Sequence, residues 1–82
     1  MKILKFYSET CGPCKVLDSN LKKAGIEYES INVNDDKNNN LIKKYKIQSL
    51  PTLIKVDNEK EIARHIGILT VEQLKYWCKA KF

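Results

Sequence analysis

The sequence has no long hydrophobic run and no stretch rich in glycine, proline or serine. Its apolar stretches are only a few residues long, whereas a membrane span needs about 18 or more. The N-terminal residues lack the apolar segment and small-residue cleavage site of a signal peptide. With 82 residues, three glycines and two prolines, the chain is too short for a second domain. We therefore expect a single domain, 1–82, in the cytoplasm and without membrane association.

Arginine is nearly absent, although the chain is basic. Lys and Arg total 15 against 10 Asp and Glu, a formal net charge of +5, but Arg64 is the only arginine. Arginine is the usual reader of base edges in nucleic acids, and the lysines are spread over separate segments with acidic residues between them. The pattern favours solvated helix faces over a nucleic-acid interface, and the surplus charge could steer acidic partners.

Cysteine is scarce and odd in number, with three in the chain, so a fully paired disulfide scaffold is excluded. Cys11 and Cys14 are three positions apart, and Cys78 falls on the apolar side of a predicted C-terminal helix, which suits a buried inert thiol. Together with His65 the cysteines make up a Cys₃His set that suits zinc in composition. The spacing between His65 and Cys78 matches no familiar zinc motif, so we predict no metal.

The hydrophobic pattern predicts the element order β-α-β-α-β-β-α. The strands are predicted at Lys2–Tyr7, Ile26–Val33, Thr52–Val56 and Glu61–Ile66. The helices are predicted from Pro13 to a C-cap at Gly25, around Leu41–Tyr45, and after a capping Thr70. The first two strands should be parallel because a helix crosses between them, and the last two should form an antiparallel hairpin. The fold class is therefore α/β, a three-layer α/β/α sandwich with a four-stranded mixed sheet.

The segment Cys11-Gly12-Pro13-Cys14 lies where the first strand ends and the first helix begins. Free N–H groups and the helix dipole favour negative charge at such a position, and a thiol there can ionise at neutral pH. Cys11 should be exposed, while Cys14 lies one turn into the helix and should be buried. Because the two sulfurs are close enough to bond, Cys11 can attack a substrate disulfide and Cys14 can then displace the substrate from the mixed disulfide.

Three segments resemble the thioredoxin family. Phe6–Lys15 resembles the active-site segment, and Ser49-Leu50-Pro51-Thr52-Leu53 resembles a second hallmark, in which a cis proline precedes a strand and faces the cysteines. Ile66–Thr70 resembles the glycine-containing loop before the last helix. The likeness runs from Ile3 over nearly the whole chain. The family's first strand and helix are missing, which leaves a minimal, glutaredoxin-sized version of the thioredoxin fold.

The resemblance assigns roles to individual residues. It implies that Cys11 is the nucleophile, that Cys14 is the resolving thiol and that the two form a redox-active disulfide. It implies that Pro51 is cis, that the Leu50 backbone pairs with an extended substrate segment, and that Gly67 lets the substrate backbone approach closely. The expected supporting residues flank the cysteines: Thr10 (where the family usually has tryptophan), Gly12, Pro13 and Lys15.

Lys5 departs from the family, which often has a buried acid at this position beneath the resolving cysteine. One interpretation is that the side chain runs along apolar surface and its amine reaches solvent. The other is that Lys5 favours the Cys14 thiolate by its charge, or that its amine is uncharged and accepts a proton.

The resemblance implies a monomeric thiol–disulfide oxidoreductase that carries electrons without a bound cofactor. Its partners would be an NADPH-dependent flavoprotein of the thioredoxin reductase type and disulfide-containing proteins such as ribonucleotide reductase. One alternative is a glutaredoxin-like enzyme recharged by glutathione, although the motif lacks the aromatic residue usual in glutaredoxins. Another is a non-catalytic binding subunit that uses the surface of Thr10, Pro51 and Gly67.

Overall fold

The computed structural model describes residues 1–79, so the predicted domain boundary at residue 82 lies outside the described part. The elements follow the predicted order: β1 Lys2–Tyr7, α1 Gly12–Lys23, β2 Glu29–Asn32, α2 Asn39–Tyr45, β3 Thr52–Asp57, β4 Lys60–Ile66 and α3 Val71–Lys79. A single 3₁₀ turn, Asp36–Asn38, leads into α2. None of the helices in residues 1–79 is long and apolar enough to cross a membrane.

The four strands form one mixed sheet in the order β2-β1-β3-β4. β1 pairs in parallel with β2 and antiparallel with β3, and β3 and β4 form an antiparallel hairpin. The predicted fold class and strand directions are confirmed. Because β1 is an inner strand that ends at the cysteine segment, the position of Cys11 is fixed by pairing on both sides.

β2 is shorter than predicted and begins at Glu29 rather than Ile26. Gly25 ends α1 with φ of +70°, and the N–H of Ile26 donates to the carbonyl oxygen of Leu21 at 3.2 Å. This is the hydrogen-bond pattern of a glycine-terminated helix. Ile26 therefore belongs to the helix end, and the chain becomes available for strand pairing only further on.

Two apolar cores lie on opposite faces of the sheet. The core under α2 contains Leu4, Phe6, Ile31, Tyr45, Ile54 and Val56. The core under α1 and α3 contains Leu17, Leu21, Leu53, Leu69 and Leu74. Since side chains alternate along a strand, Leu4 and Phe6 of β1 point to the first core, and Lys5 between them points towards α1.

α3 begins with a reciprocal cap and ends over a buried lysine. The N–H of Gln73 donates to Oγ1 of Thr70, and the N–H of Thr70 donates to Oε1 of Gln73, which confirms Thr70 as the cap. Lys55 of β3 is fully buried, donates to the carbonyl oxygen of Trp77 and lies 4.8 Å from the Trp77 ring centroid. The lysine thus binds the last turn of α3, where the helix dipole is negative.

Cys78 is only partly buried, in contrast to the fully buried thiol expected. Burial raises the pKa of this thiol, and the charge of Lys55 acts in the opposite direction. The neutral thiol is therefore the favoured form at neutral pH.

Candidate active site

Cys11 is the N-cap residue of α1. Its backbone is extended, and its sulfur accepts a hydrogen bond from the N–H of Cys14 with an N···Sγ distance of 3.2 Å. Pro13 lies in the first turn, where no backbone donor is needed. A negative charge on Sγ of Cys11 would be stabilised by this N–H and by the helix dipole. Cys11 is half-buried.

Cys14 is 2% exposed and lies on the same side of α1 as Leu17 and Leu21. The two cysteines are joined by a disulfide, and their Cα atoms are 5.3 Å apart. The short helical separation allows this bond to form without a change in the backbone of the surrounding core. The structure therefore confirms the predicted burial of Cys14 and links it to Cys11, which is half-buried rather than exposed as predicted.

The loop before β3 and the loop before α3 are joined by a hydrogen bond. The Leu50–Pro51 peptide bond is cis, as the resemblance implies, and Pro51 is buried. The N–H of Gly67 donates to the carbonyl oxygen of Pro51 at 2.9 Å. Gly67 has φ of +102°, a conformation that residues with a Cβ atom adopt only under strain. Leu50 is half-buried.

Asn20 connects α1 to the Gly67 loop, a contact that the sequence analysis missed. Its side-chain amide donates to the carbonyl oxygen of Leu69 at 3.0 Å. Two hydrogen bonds thus link α1, the loop before α3 and the loop before β3, one from Asn20 to Leu69 and one from Gly67 to Pro51. A polar residue one position before the buried Leu21 was the only sequence signal for this contact.

Lys5 does not reach solvent, so the interpretation as a solvent-seeking amine was wrong. Its side chain is 5% exposed, and its Nζ lies 2.7 Å from Oδ1 of Asp18 on α1. The ammonium also lies 4.7 Å from the Tyr7 ring centroid and 5.2 Å from that of Tyr28. A partner carboxylate within reach on α1, together with two aromatic faces, lets the charged amine remain buried.

Asp18 is the centre of this cluster, and the sequence analysis had placed it among the solvated acids. Besides Lys5 it accepts a hydrogen bond from the hydroxyl of Tyr28, and its Oδ2 lies 3.2 Å from Nζ of Lys22. The hydrogen bond from Lys5, followed by that from Tyr28, holds the pKa of Asp18 well below its ordinary value. Burial, followed by the hydrogen bond to Asp18, raises the pKa of Tyr28 to about 12. The signal available in the sequence was position 18 itself, which is one helical turn after Cys14.

A cleft of about 460 Å³ opens beside Cys14, and Lys5 and Asp18 also line it. The other predicted supporting residues surround the cysteines at the surface: Thr10, Gly12, Pro13 and Lys15 are all exposed. The hydroxyl oxygens of Thr10 and Ser8 are 3.3 Å apart. Within residues 1–79, no group of three or more histidine, cysteine, aspartate or glutamate side chains is arranged to hold a metal ion. The zinc set of Cys11, Cys14, His65 and Cys78 is therefore not assembled.

The chain is similar in sequence and structure to several thioredoxins. The chain is 35% identical over 77 residues to the thioredoxin of Buchnera aphidicola, an alignment that covers 89% of this chain and 71% of that protein. It is 36% identical over 70 residues to the thioredoxin of Mycoplasma pneumoniae, and this alignment covers 82% of this chain and 69% of that protein. The structure of thioredoxin-2 from a malaria parasite matches with a TM-score of 0.76 at 27% identity, covering 94% of this chain and 79% of that one.

The sequence model of the Thioredoxin family matches residues 1–80, nearly the entire chain. The alignments cover about 70% of the length of the two thioredoxins. A cysteine pair joined across the first turn of a helix that follows a central strand is the redox centre of such proteins. The chain belongs to the thioredoxin family and is a disulfide oxidoreductase.

Proposed function

We propose that the chain is a small electron carrier that reduces protein disulfides in the cytoplasm as a monomer, without a bound cofactor. The observation that carries this proposal is the position of the Cys11 sulfur, which caps α1, accepts the N–H of Cys14 and is bonded to Cys14. Its reductant is an NADPH-dependent flavoprotein of the thioredoxin reductase type, and its substrates are disulfide-containing enzymes such as ribonucleotide reductase.

The reaction proceeds by two thiol–disulfide exchanges. The Cys11 thiolate attacks one sulfur of the substrate disulfide, and the other substrate sulfur leaves as a thiolate that takes a proton from water. Cys14 then loses its proton and attacks Sγ of Cys11, and the remaining substrate sulfur leaves and is protonated in turn. Two electrons have passed to the substrate, and the Cys11–Cys14 disulfide has formed. The reductase returns two electrons and restores both thiols.

The surrounding residues bind the substrate and adjust the thiols. The cis bond at Pro51 and the hydrogen bond from Gly67 to Pro51 support a role in which an extended substrate segment pairs with the Leu50 backbone. Gly67 has no side chain to hinder that approach. The exposed residues Thr10, Gly12, Pro13 and Lys15 form the edge of the site, and Lys5 acts on the buried Cys14 from within the protein.

Insulin disulfide reduction with two reductants in parallel tests this function. We expect rapid turnover with NADPH and thioredoxin reductase, and slow turnover with NADPH, glutathione reductase and glutathione. Faster turnover with glutathione would instead establish the glutaredoxin-like function. The matched control is the double variant Cys11→Ser/Cys14→Ser. If that variant retained full biological function in cells, the chain would be a binding subunit and the proposal would be wrong.

A further inference from the structure

This inference rests on the proposed function and concerns the charges beneath the resolving thiol. Cys14 and Asp18 are four residues apart on α1, so their side chains lie on the same side of the helix one turn apart. Lys5 reaches the same place from β1 and pairs with Asp18. All three residues line the cleft of about 460 Å³. A positive and a negative charge therefore share one small space with the thiol that must ionise.

Burial increases the effect of both charges on Cys14. The side chains of Lys5 and Asp18 are only 5% and 28% exposed, and Cys14 itself is 2% exposed. Charges in such surroundings are screened far less by water than charges on the surface. The aromatic rings of Tyr7 and Tyr28 beside the Lys5 ammonium exclude further solvent.

Asp18 is poorly suited to accept the Cys14 proton. Its Oδ1 already accepts hydrogen bonds from Lys5 and Tyr28, and its Oδ2 lies close to Lys22. Protonation of Asp18 would weaken all three contacts at once. The cleft opens to solvent, so water can accept the proton instead.

We propose that Lys5 and Asp18 act on the resolving thiol as two opposed fixed charges, Lys5 favouring the Cys14 thiolate and Asp18 disfavouring it. Asp18 is a positioning residue, since it holds the Lys5 ammonium in the cleft and limits its effect. During resolution the Cys14 proton passes to water, and the Cys14 sulfur forms a bond to Sγ of Cys11. The bond between Cys11 and the substrate sulfur breaks, and its electron pair leaves with the substrate thiolate.

Other titratable groups also face the cleft and must be held constant in a test. α1 contributes Lys15 as well as Asp18, and the segment from β1 to the first cysteine contributes Tyr7 and Glu9 along with Lys5. Lys22 and Tyr28 act through Asp18. The test therefore changes only Lys5 and Asp18, one charge at a time.

Thiolate absorbance in the ultraviolet, followed against pH, reports the ionisation of Cys14. In a Cys11→Ser/Cys78→Ala background Cys14 is the sole cysteine. We expect Lys5→Met to raise the midpoint by about one pH unit and Asp18→Asn to lower it by about one unit. The double variant should return close to the starting value. Asparagine keeps an oxygen that can accept from Lys5 and Tyr28, so Asp18→Asn removes the charge with little change in shape.

Three outcomes would overturn the proposal. Midpoints that do not move would mean that the ion pair is only structural. Shifts of the same sign in both single variants, or a raised midpoint in Asp18→Asn, would mean that the two charges do not oppose each other at Cys14. Lys5→Arg keeps the charge and should keep the midpoint, so this variant separates loss of charge from loss of packing. Urea unfolding of each variant shows whether it is folded.

The resolving step itself supplies a second readout. In a Cys78→Ala background, Cys11 is charged with thionitrobenzoate as a mixed disulfide, and release of the coloured thiolate near neutral pH measures attack by Cys14. A shift of one unit in the pKa of Cys14 changes its thiolate fraction about tenfold near neutral pH. The nucleophilicity of the thiolate changes in the opposite direction, so the rate of release should change about threefold. We expect slower release in Lys5→Met and faster release in Asp18→Asn. Neither measurement needs a reductase or a protein substrate, so failure of the proposed function in the insulin assay would be recognised separately.

Discussion

The backbone N–H of Cys14 donates a hydrogen bond to the sulfur of Cys11 across the first turn of α1, at 3.2 Å. In the reduced protein, the same N–H is placed to stabilise a negative charge on the Cys11 sulfur. The contact uses only backbone from Cys14, so a change of the Cys14 side chain leaves it intact. Variants of the Cys14 side chain can therefore remove the resolving step without weakening the attacking step.

Cys14→Ser should trap the substrate on the protein. Cys11 can still attack a substrate disulfide, but a serine hydroxyl is too weak a nucleophile to displace the substrate. We expect insulin turnover below detection and accumulation of a covalent complex, measured by mass spectrometry under non-reducing conditions. Cys11→Ser should give neither turnover nor complex, and Cys78→Ser should resemble wild type. A complex formed by Cys11→Ser would contradict the assignment of the nucleophile.

Asn20→Ala should weaken binding of protein substrates while leaving the thiols unchanged. The variant removes the hydrogen bond to Leu69, which contributes about 1 kcal/mol, a factor of about five in an equilibrium. Because this bond holds the Gly67 loop, KM for insulin should rise up to about fivefold with kcat nearly constant. Reduction of a small aromatic disulfide, which needs no loop contact, should be unchanged. Ser19→Ala, a neighbouring exposed position, is the matched control.

Acid should destabilise the protein partly through Asp18. The pKa of this carboxyl is held below its ordinary value of 3.8 in the folded state, so folding favours the ionised form. The stabilisation is complete above the unfolded pKa and is lost as the pH falls below it towards the folded pKa. Between pH 7 and about pH 2.5 the wild type should lose about 1–2 kcal/mol more stability than Asp18→Asn does.

Urea unfolding at the two pH values measures this difference. Asp57→Asn is the control, because Asp57 is half exposed and its only ion pair within residues 1–79 is with the N-terminal amine, at 3.9 Å. An equal loss of stability in wild type and Asp18→Asn would show that the Lys5–Asp18 pair does not contribute to the pH dependence.

Glu59→Gly should stabilise the β3–β4 hairpin. Asn58 and Glu59 both have positive φ, 51° and 66°, in a two-residue turn whose usual second residue is glycine. The left-handed conformation costs a residue with a Cβ atom about 1–2 kcal/mol, which outweighs the entropy cost of glycine, about 0.5–1 kcal/mol. We expect a gain of about 0.5 kcal/mol in unfolding free energy. Glu59→Ala keeps the Cβ atom and should give no gain; equal gains in both variants would refute the explanation.

The fold was predictable because each element carries a local signal. Pro13 and Gly25 mark the ends of α1, Thr70 marks the start of α3, and the alternation around Phe6 marks a buried strand. The error in β2 arose because Ile26 is apolar and β-branched, yet its N–H closes the end of α1. Local propensity does not reveal which of two neighbouring elements will use a backbone donor.

The pair Cys11 and Cys14 was predictable because the two residues are close in the sequence. The cis bond at Pro51 was predictable because its segment resembles a known one. The ion pair was not, because Lys5 and Asp18 are thirteen positions apart and meet only once α1 has packed on β1. The same applies to Lys55 and the carbonyl of Trp77. A lysine inside an apolar strand indicates that a partner exists, but the partner's identity follows from tertiary packing.

The register of β1 has a consequence for how this site can change. Lys5 pairs with Leu53 on one side and Ser30 on the other, and side chains on a strand alternate between faces. Insertion or deletion of one residue between Lys5 and Cys11 would turn the Lys5 ammonium into the core beneath α2 and bring an apolar side chain to the cleft. Changes in the length of this segment are therefore tolerated only in steps of two, and the spacing of six positions between Lys5 and Cys11 is tied to the redox chemistry as well as to the fold.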